Sequence, residues 1–136
     1  MSELAKKPRP QFRNINITQL KNYRLPAAGI MSILHRISGA ILFFGLPIIL
    51  WLFSMSLTSE LSYAQLVEFS DFFIVKVVLC GLVWAFFHHL FAGIRHLVCD
   101  LHMGLTKEQG SLWSSVVMAA AVLMSLLVWL KIFGVY

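Results

Sequence analysis

The sequence predicts an all-α integral membrane protein: three transmembrane helices in an up-down-up bundle, with the N-terminus cytoplasmic. Three observations predict it. Of the 136 residues, 59% are hydrophobic and only 12% charged, with a mean hydropathy of +0.80. The apolar residues gather in three long stretches separated by two short polar ones. The basic excess is at the front of the chain: Lys6, Lys7, Arg9, Arg13, Lys21, Arg24 and Arg36, against Glu3 alone. The formal net charge of +5 matters less than this placement. A basic flank before a long apolar run marks the cytoplasmic side of a membrane protein. The expected surroundings are therefore a lipid bilayer, and no nucleic acid partner is expected.

The chain reads as one membrane-anchor domain, 1–136. Residues 1–26 carry Pro8, Pro10 and Pro26 and read as an extended arm lying on the membrane or on a partner. Pro26 suits the first turn of a helix. The first span covers about 27–57. Its core, Ile37 to Leu57, has no charge and is long enough to cross a bilayer. Pro47 is tolerated there because neighbouring helices re-satisfy the freed backbone group. The leading region and the apolar run are both too long for a cleaved signal peptide. Residues 58–71 read as a polar connection, with Glu60, Glu68 and Asp71 and no Lys or Arg. The second span covers about 72–101, and Lys76 near its start can snorkel to the interface. Residues 102–110 form the second connection, and the third span covers about 111–133. Trp113 and Trp129 sit near its two ends, as interfacial aromatics do. An inward N-terminus puts the 58–71 loop outside, the Lys107 loop inside and the C-terminus outside.

Cys80 and Cys99 are the only cysteines. On one helix they stand roughly 28 Å apart, too far to pair within it. There is no C-x-x-C and no C-x-x-C-H. A disulfide framework, a zinc site, an iron–sulfur site and a covalently attached c-type haem all lack support.

The chemistry concentrates in Phe87-His88-His89-Leu90-Phe91-Ala92-Gly93-Ile94-Arg95-His96-Leu97-Val98-Cys99-Asp100. At about 100° per residue, His89, Gly93, His96 and Asp100 share a stripe roughly 60° wide. Ionisable groups on a membrane helix are costly and by default mark a functional site. A neutral imidazole is a metal ligand, and a glycine one turn away lets a flat macrocycle approach the backbone. The stripe therefore points to a haem pocket with His89 as axial ligand. The bland reading is that these histidines only hydrogen-bond neighbouring helices. His88 points about 100° away, toward a neighbouring helix or lipid-side water. His102 falls in the loop.

The first span opens with Ser32-Ile33-Leu34-His35-Arg36-Ile37-Ser38-Gly39, where Ser32, Arg36 and Gly39 share a face with His35 beside it. Helix one enters from the cytoplasm and helix two returns to it. Ser32, His35 and Arg36 then lie level with Arg95, His96 and Asp100, and His89 lies about 10 Å deeper than His96. This layout fits a haem with its iron at His89. Its propionates would be paired by Arg and His donors, and Ser32 and Arg36 would be free to bond a second ligand.

Arg9-Pro10, Ser-x-x-His-Arg-x-Ser from Ser32 to Ser38, and His-x-x-x-Gly-Ile-Arg-His-x-x-x-Asp from His89 to Asp100 together resemble the cytochrome b membrane-anchor subunit of succinate dehydrogenase, respiratory complex II. The likeness covers the arm and the first two helices. It implies haem b with its iron on His89, and His35, Arg36, Arg95 and His96 around the propionates. It implies ubiquinone at Ser32 and Arg36, and a proton route near Asp100. The implied partners are a second small anchor subunit, an iron–sulfur subunit and a flavoprotein subunit. With no mitochondrial-type presequence before the arm, the resemblance implies a bacterial inner-membrane protein. The chain departs from the family at Cys99, where a bulky residue is usual, and at His102, where a small one is usual.

The third span has no histidine. His35, counted from the expected helix ends, lies roughly 8 Å shallower than His89 and is a poor trans partner. The other axial ligand is thus expected from the second anchor subunit. With no flavin or iron–sulfur motif, the chain should not oxidise succinate alone. Two rivals remain: an anchor running quinol to fumarate, and a structural or transport subunit whose polar stripe is only helix glue.

Overall fold

The computed structural model describes Thr18 and residues 24–135. The arm, with its Arg9-Pro10 signature, lies almost wholly outside the described residues. Four helices follow in order: α1 Ala27–Thr58, α2 Glu60–Ser70, α3 Phe73–Asp100 and α4 Lys107–Ile132. No strand occurs among the described residues. The helices α1, α3 and α4 are each long and apolar enough to cross a membrane. The protein is a multi-pass helical membrane bundle in which α3 packs against both α1 and α4.

Pro26 stands at the N-cap of α1, and its carbonyl accepts from the backbone N–H groups of Gly29 and Ile30. The 58–71 stretch is not a bare connection, because it holds α2. Ser59 and Ser62 form a reciprocal capping box that starts this helix, and the Ser62 hydroxyl also donates to the Met55 carbonyl of α1 at 2.7 Å. Glu, Leu, Ala and Gln within it are strong helix formers. The helix α4 begins four residues before the expected 111. Thr106 accepts from the Gln109 N–H, and Glu108 suits the positive end of the helix dipole.

Small residues make the seams. Met31, Ser38 and Gly45 are buried on α1, Ala85, His88 and Ala92 on α3, and Ser114, Ala121 and Ser125 on α4. In lipid, helices associate through close backbone approach rather than through apolar burial, which is why these positions, Met31 and His88 apart, are small. The Ser114 hydroxyl donates to the Gly110 carbonyl and that of Ser125 to the Ala121 carbonyl, each at 2.6 Å within α4. The large apolar side chains point outward instead; Phe43 is 71% and Phe44 75% exposed. At the far end of the bundle the Trp129 indole donates to the Cys80 carbonyl at 3.0 Å and ties α4 to α3.

Candidate functional site

The site forms where the start of α1 crosses the second half of α3. The His35 and His89 rings stack with centroids 4.3 Å apart and planes inclined by 30°. His35 is therefore not about 8 Å shallower than His89, as counting from helix ends suggested. The end of α3 runs past the start of α1, so the two ends are not a common zero of depth. The His89 Nδ1 lies 3.2 Å from the His35 carbonyl oxygen and 3.5 Å from the Ser38 hydroxyl. Ser38, fully buried, donates to that same carbonyl at 2.9 Å. A carbonyl can only accept, so Nδ1 carries the proton and donates to it. The Nε2 then keeps its lone pair in the ring plane, which is the tautomer an iron ligand needs.

Two glycines make room around these rings. A Cβ on Gly39 would stand 2.9 Å from the His89 Cε1 and 3.2 Å from its Nδ1. A Cβ on Gly93 would meet the His35 Nε2 at 3.7 Å. That Nε2 is buried and has no hydrogen-bond partner among the described residues. The glycines thus seat the two imidazoles themselves, and the oriented His89 ring and the orphaned His35 Nε2 are the features that fit a polar-edged prosthetic group.

Position around each helix decides which expected residues meet. Ala85, His88 and Ala92 define the buried face of α3. His89, Gly93, His96 and Asp100 are rotated from it by roughly 75°. His89 and Gly93 are half-buried, whereas His96 and Asp100 are exposed. On α1, Ser32 is half-buried and Arg36 exposed, rotated in the same way from Met31 and Ser38. Because the two helices are antiparallel, both rotations lead to the same open flank. Arg36 has no ion pair or hydrogen bond with a described residue; the one ion pair among these residues is Lys76–Asp71 at 3.0 Å.

Arg95, expected beside His96, is turned away from this flank. Its Nη2 donates to the Gly110 carbonyl of α4 at 3.1 Å. Six residues from His89 place it about 120° around the helix, so the spacing that aligns His96 with His89 excludes Arg95. His88, which sequence reasoning left between a neighbouring helix and lipid-side water, is the largest fully buried side chain among the described residues, 1% exposed. It stacks on Trp84 with centroids 5.3 Å apart. The i, i+4 pair Trp84–His88 was the available signal.

A profile of the succinate dehydrogenase/fumarate reductase transmembrane subunit family matches residues 6–128. The chain belongs to this family. The anchor chain is 36% identical over 108 residues to the succinate dehydrogenase cytochrome b556 subunit of Paracoccus denitrificans, covering 79% of this chain and 83% of that one. It is 33% identical over 110 residues to the subunit of the same name from Rickettsia felis, covering 81% and 86%. It is 32% identical over 128 residues to the succinate dehydrogenase cytochrome b560 subunit of Reclinomonas americana, covering 86% and 88%. The anchor chain is thus a membrane subunit of an oxidoreductase complex and not an enzyme by itself.

Proposed function

We propose that the anchor chain carries haem b in the membrane arm of a succinate:ubiquinone oxidoreductase and forms part of its quinone-reduction site. The observation that carries this reading is the orientation of the His89 ring, its Nδ1 3.2 Å from the His35 carbonyl oxygen beside Gly39. Bound there, haem b supplies a one-electron store. His89 would hold the iron, while His35, Arg36 and His96 would serve the propionate edge. Arg95 is left out of this set, because it faces α4.

The other ligand to the iron would come from a partner anchor subunit. The stacked His35 supports this: imidazole lone pairs lie in the ring plane, so face-to-face rings cannot aim both at one iron between them. The open flank of α1 and α3 is where that partner docks, and the soluble iron–sulfur and flavoprotein subunits dock on the cytoplasmic face of the bundle. The N-terminus lies in the cytoplasm of a bacterial cell, by the Lys and Arg bias. Ser32 and Arg36 bond the ubiquinone head group, and Asp100 stands on a proton route. An anchor of the fumarate-reducing direction shares this geometry.

The test is a reduced-minus-oxidised spectrum of the purified complex, in which a haem b signal is expected. His89→Ala removes an axial ligand, so the signal should shift or vanish. An unchanged spectrum in that variant, or no haem in the wild type, overturns the reading.

A further inference from the structure

We infer that the cleft between α3 and α4 seats an acyl chain of an anionic phospholipid whose phosphate sits at Arg95. The cleft has a volume of about 560 Å³ and is almost wholly apolar, walled by Phe91, Val98, Trp113, Val117 and Ala120 beside Arg95. Along α4 its lining runs from Gln109 to Ala120, about 16 Å of helix. It is a slot parallel to the helices, apolar along its length and cationic toward the end of α3. The pair α3 and α4 is the most extensive helix contact of the bundle. A groove between helices so closely joined suits an extended chain, not another helix about 10 Å across.

Charge selects the head group. Arg95 lies five residues before the end of α3, about 7 Å inside it, at interfacial depth. Its Nη2 is used by the Gly110 carbonyl, while its Nε is buried without a partner. No carboxylate lines the cleft, and Asp100 and Glu108 are exposed outside it. A guanidinium charge inside a membrane helix needs a counter-charge. The protein supplies none among its described residues, and the bilayer can. A phosphate accepts from the guanidinium fork in a charge-assisted pair. The site is independent of the haem reading, since Arg95 and His89 occupy different faces of α3.

The test is native mass spectrometry of the assembled complex after delipidation and titration with phosphatidylglycerol or phosphatidylcholine. The wild type should retain one tightly held lipid per anchor chain and prefer phosphatidylglycerol about tenfold, the effect of one charge-assisted hydrogen bond. Ala120→Phe fills the slot and should remove that lipid. Val116→Phe, at another lining position that is 45% exposed, should do the same without disturbing a packed seam. Arg95→Gln should keep the lipid and lose the preference. Equal lipid counts in the wild type and both slot-filling variants, or no preference in the wild type, overturns the proposal.

Discussion

At the scale of single residues, the site depends on what is absent from Gly39. Its missing Cβ leaves the His89 ring where the Ser38 hydroxyl and the His35 carbonyl hold it. Gly39→Ala puts a methyl 2.9 Å from Cε1, so the ring or the helix must shift. Overpacking of this kind costs about 1–3 kcal/mol. The expected outcome is a shifted haem spectrum and a lower haem-to-protein ratio in the purified complex. Gly29→Ala is the control: its Cβ meets nothing closer than 3.6 Å, and the spectrum should not move. Haem loading equal in the two variants would show that Gly39 sets no limit on the ring. The placement of His89, Gly93, His96 and Asp100 on one stripe was legible from helical period alone. That period does not say where the stripe faces. The facing is set by which residues on α3 are small enough to make the seam, and these proved to be Ala85 and Ala92 with His88 between them. Arg95 faces α4 rather than the flank of His96 for a related reason: nearness in sequence is not nearness on the helix surface.

At the scale of elements, helix ends carried information that hydropathy hid. α3 closes with the Met103 N–H on the Val98 carbonyl and the His102 N–H on the Cys99 carbonyl, which is a Schellman motif. His102 holds its left-handed position at φ 60°, where α4 uses Gly134 at φ 70°. A side chain there costs about 1 kcal/mol or more. This explains why a small residue suits position 102. His102→Gly should raise the apparent thermal midpoint of the complex by a few degrees and leave the haem spectrum unchanged. Unfolding followed by circular dichroism checks this, and a lowered midpoint would mean that the imidazole makes a stabilising contact with a partner. The spans stood out in the sequence because an uncharged run of such length has one physical home. α2 did not, since its eleven residues are polar enough to pass for a loop and its start depends on a serine pair. The start of α4 was hidden likewise, because Lys107, Glu108 and Gly110 look like a connection until Thr106 is seen capping them.

At the scale of the whole molecule, the bundle is one-sided: Ser32, Arg36, His89, His96 and Asp100 lie toward one flank of α1 and α3, with Arg36, His96 and Asp100 exposed there. The orientation of that flank follows from the basic arm. Reporter fusions within residues 60–68 and after Tyr136 should both read as periplasmic, and a cytoplasmic signal from either would sink the proposed topology. Ser32 and Arg36 sit one turn apart on that flank, Ser32 half-buried and Arg36 exposed. A quinone oxygen gains negative charge as electrons arrive. A hydroxyl donor and a fixed cation stabilise that charge where water barely reaches. Arginine keeps its proton, so Arg36 orients and stabilises rather than acting as an acid. Ser32→Ala and Arg36→Leu should therefore leave succinate oxidation by an artificial acceptor at the flavin site nearly intact. Quinone reduction should fall by a factor on the order of ten or more if one or two charge-assisted hydrogen bonds are lost. Arg36→Leu should also disturb the haem spectrum if, as proposed, the same side chain serves a propionate, whereas Ser32→Ala should not. The deciding quantity is the ratio of quinone to artificial-acceptor turnover in assembled variant complexes. A ratio unchanged in both variants would remove the pair from the quinone site and leave them as interface anchors at the start of α1.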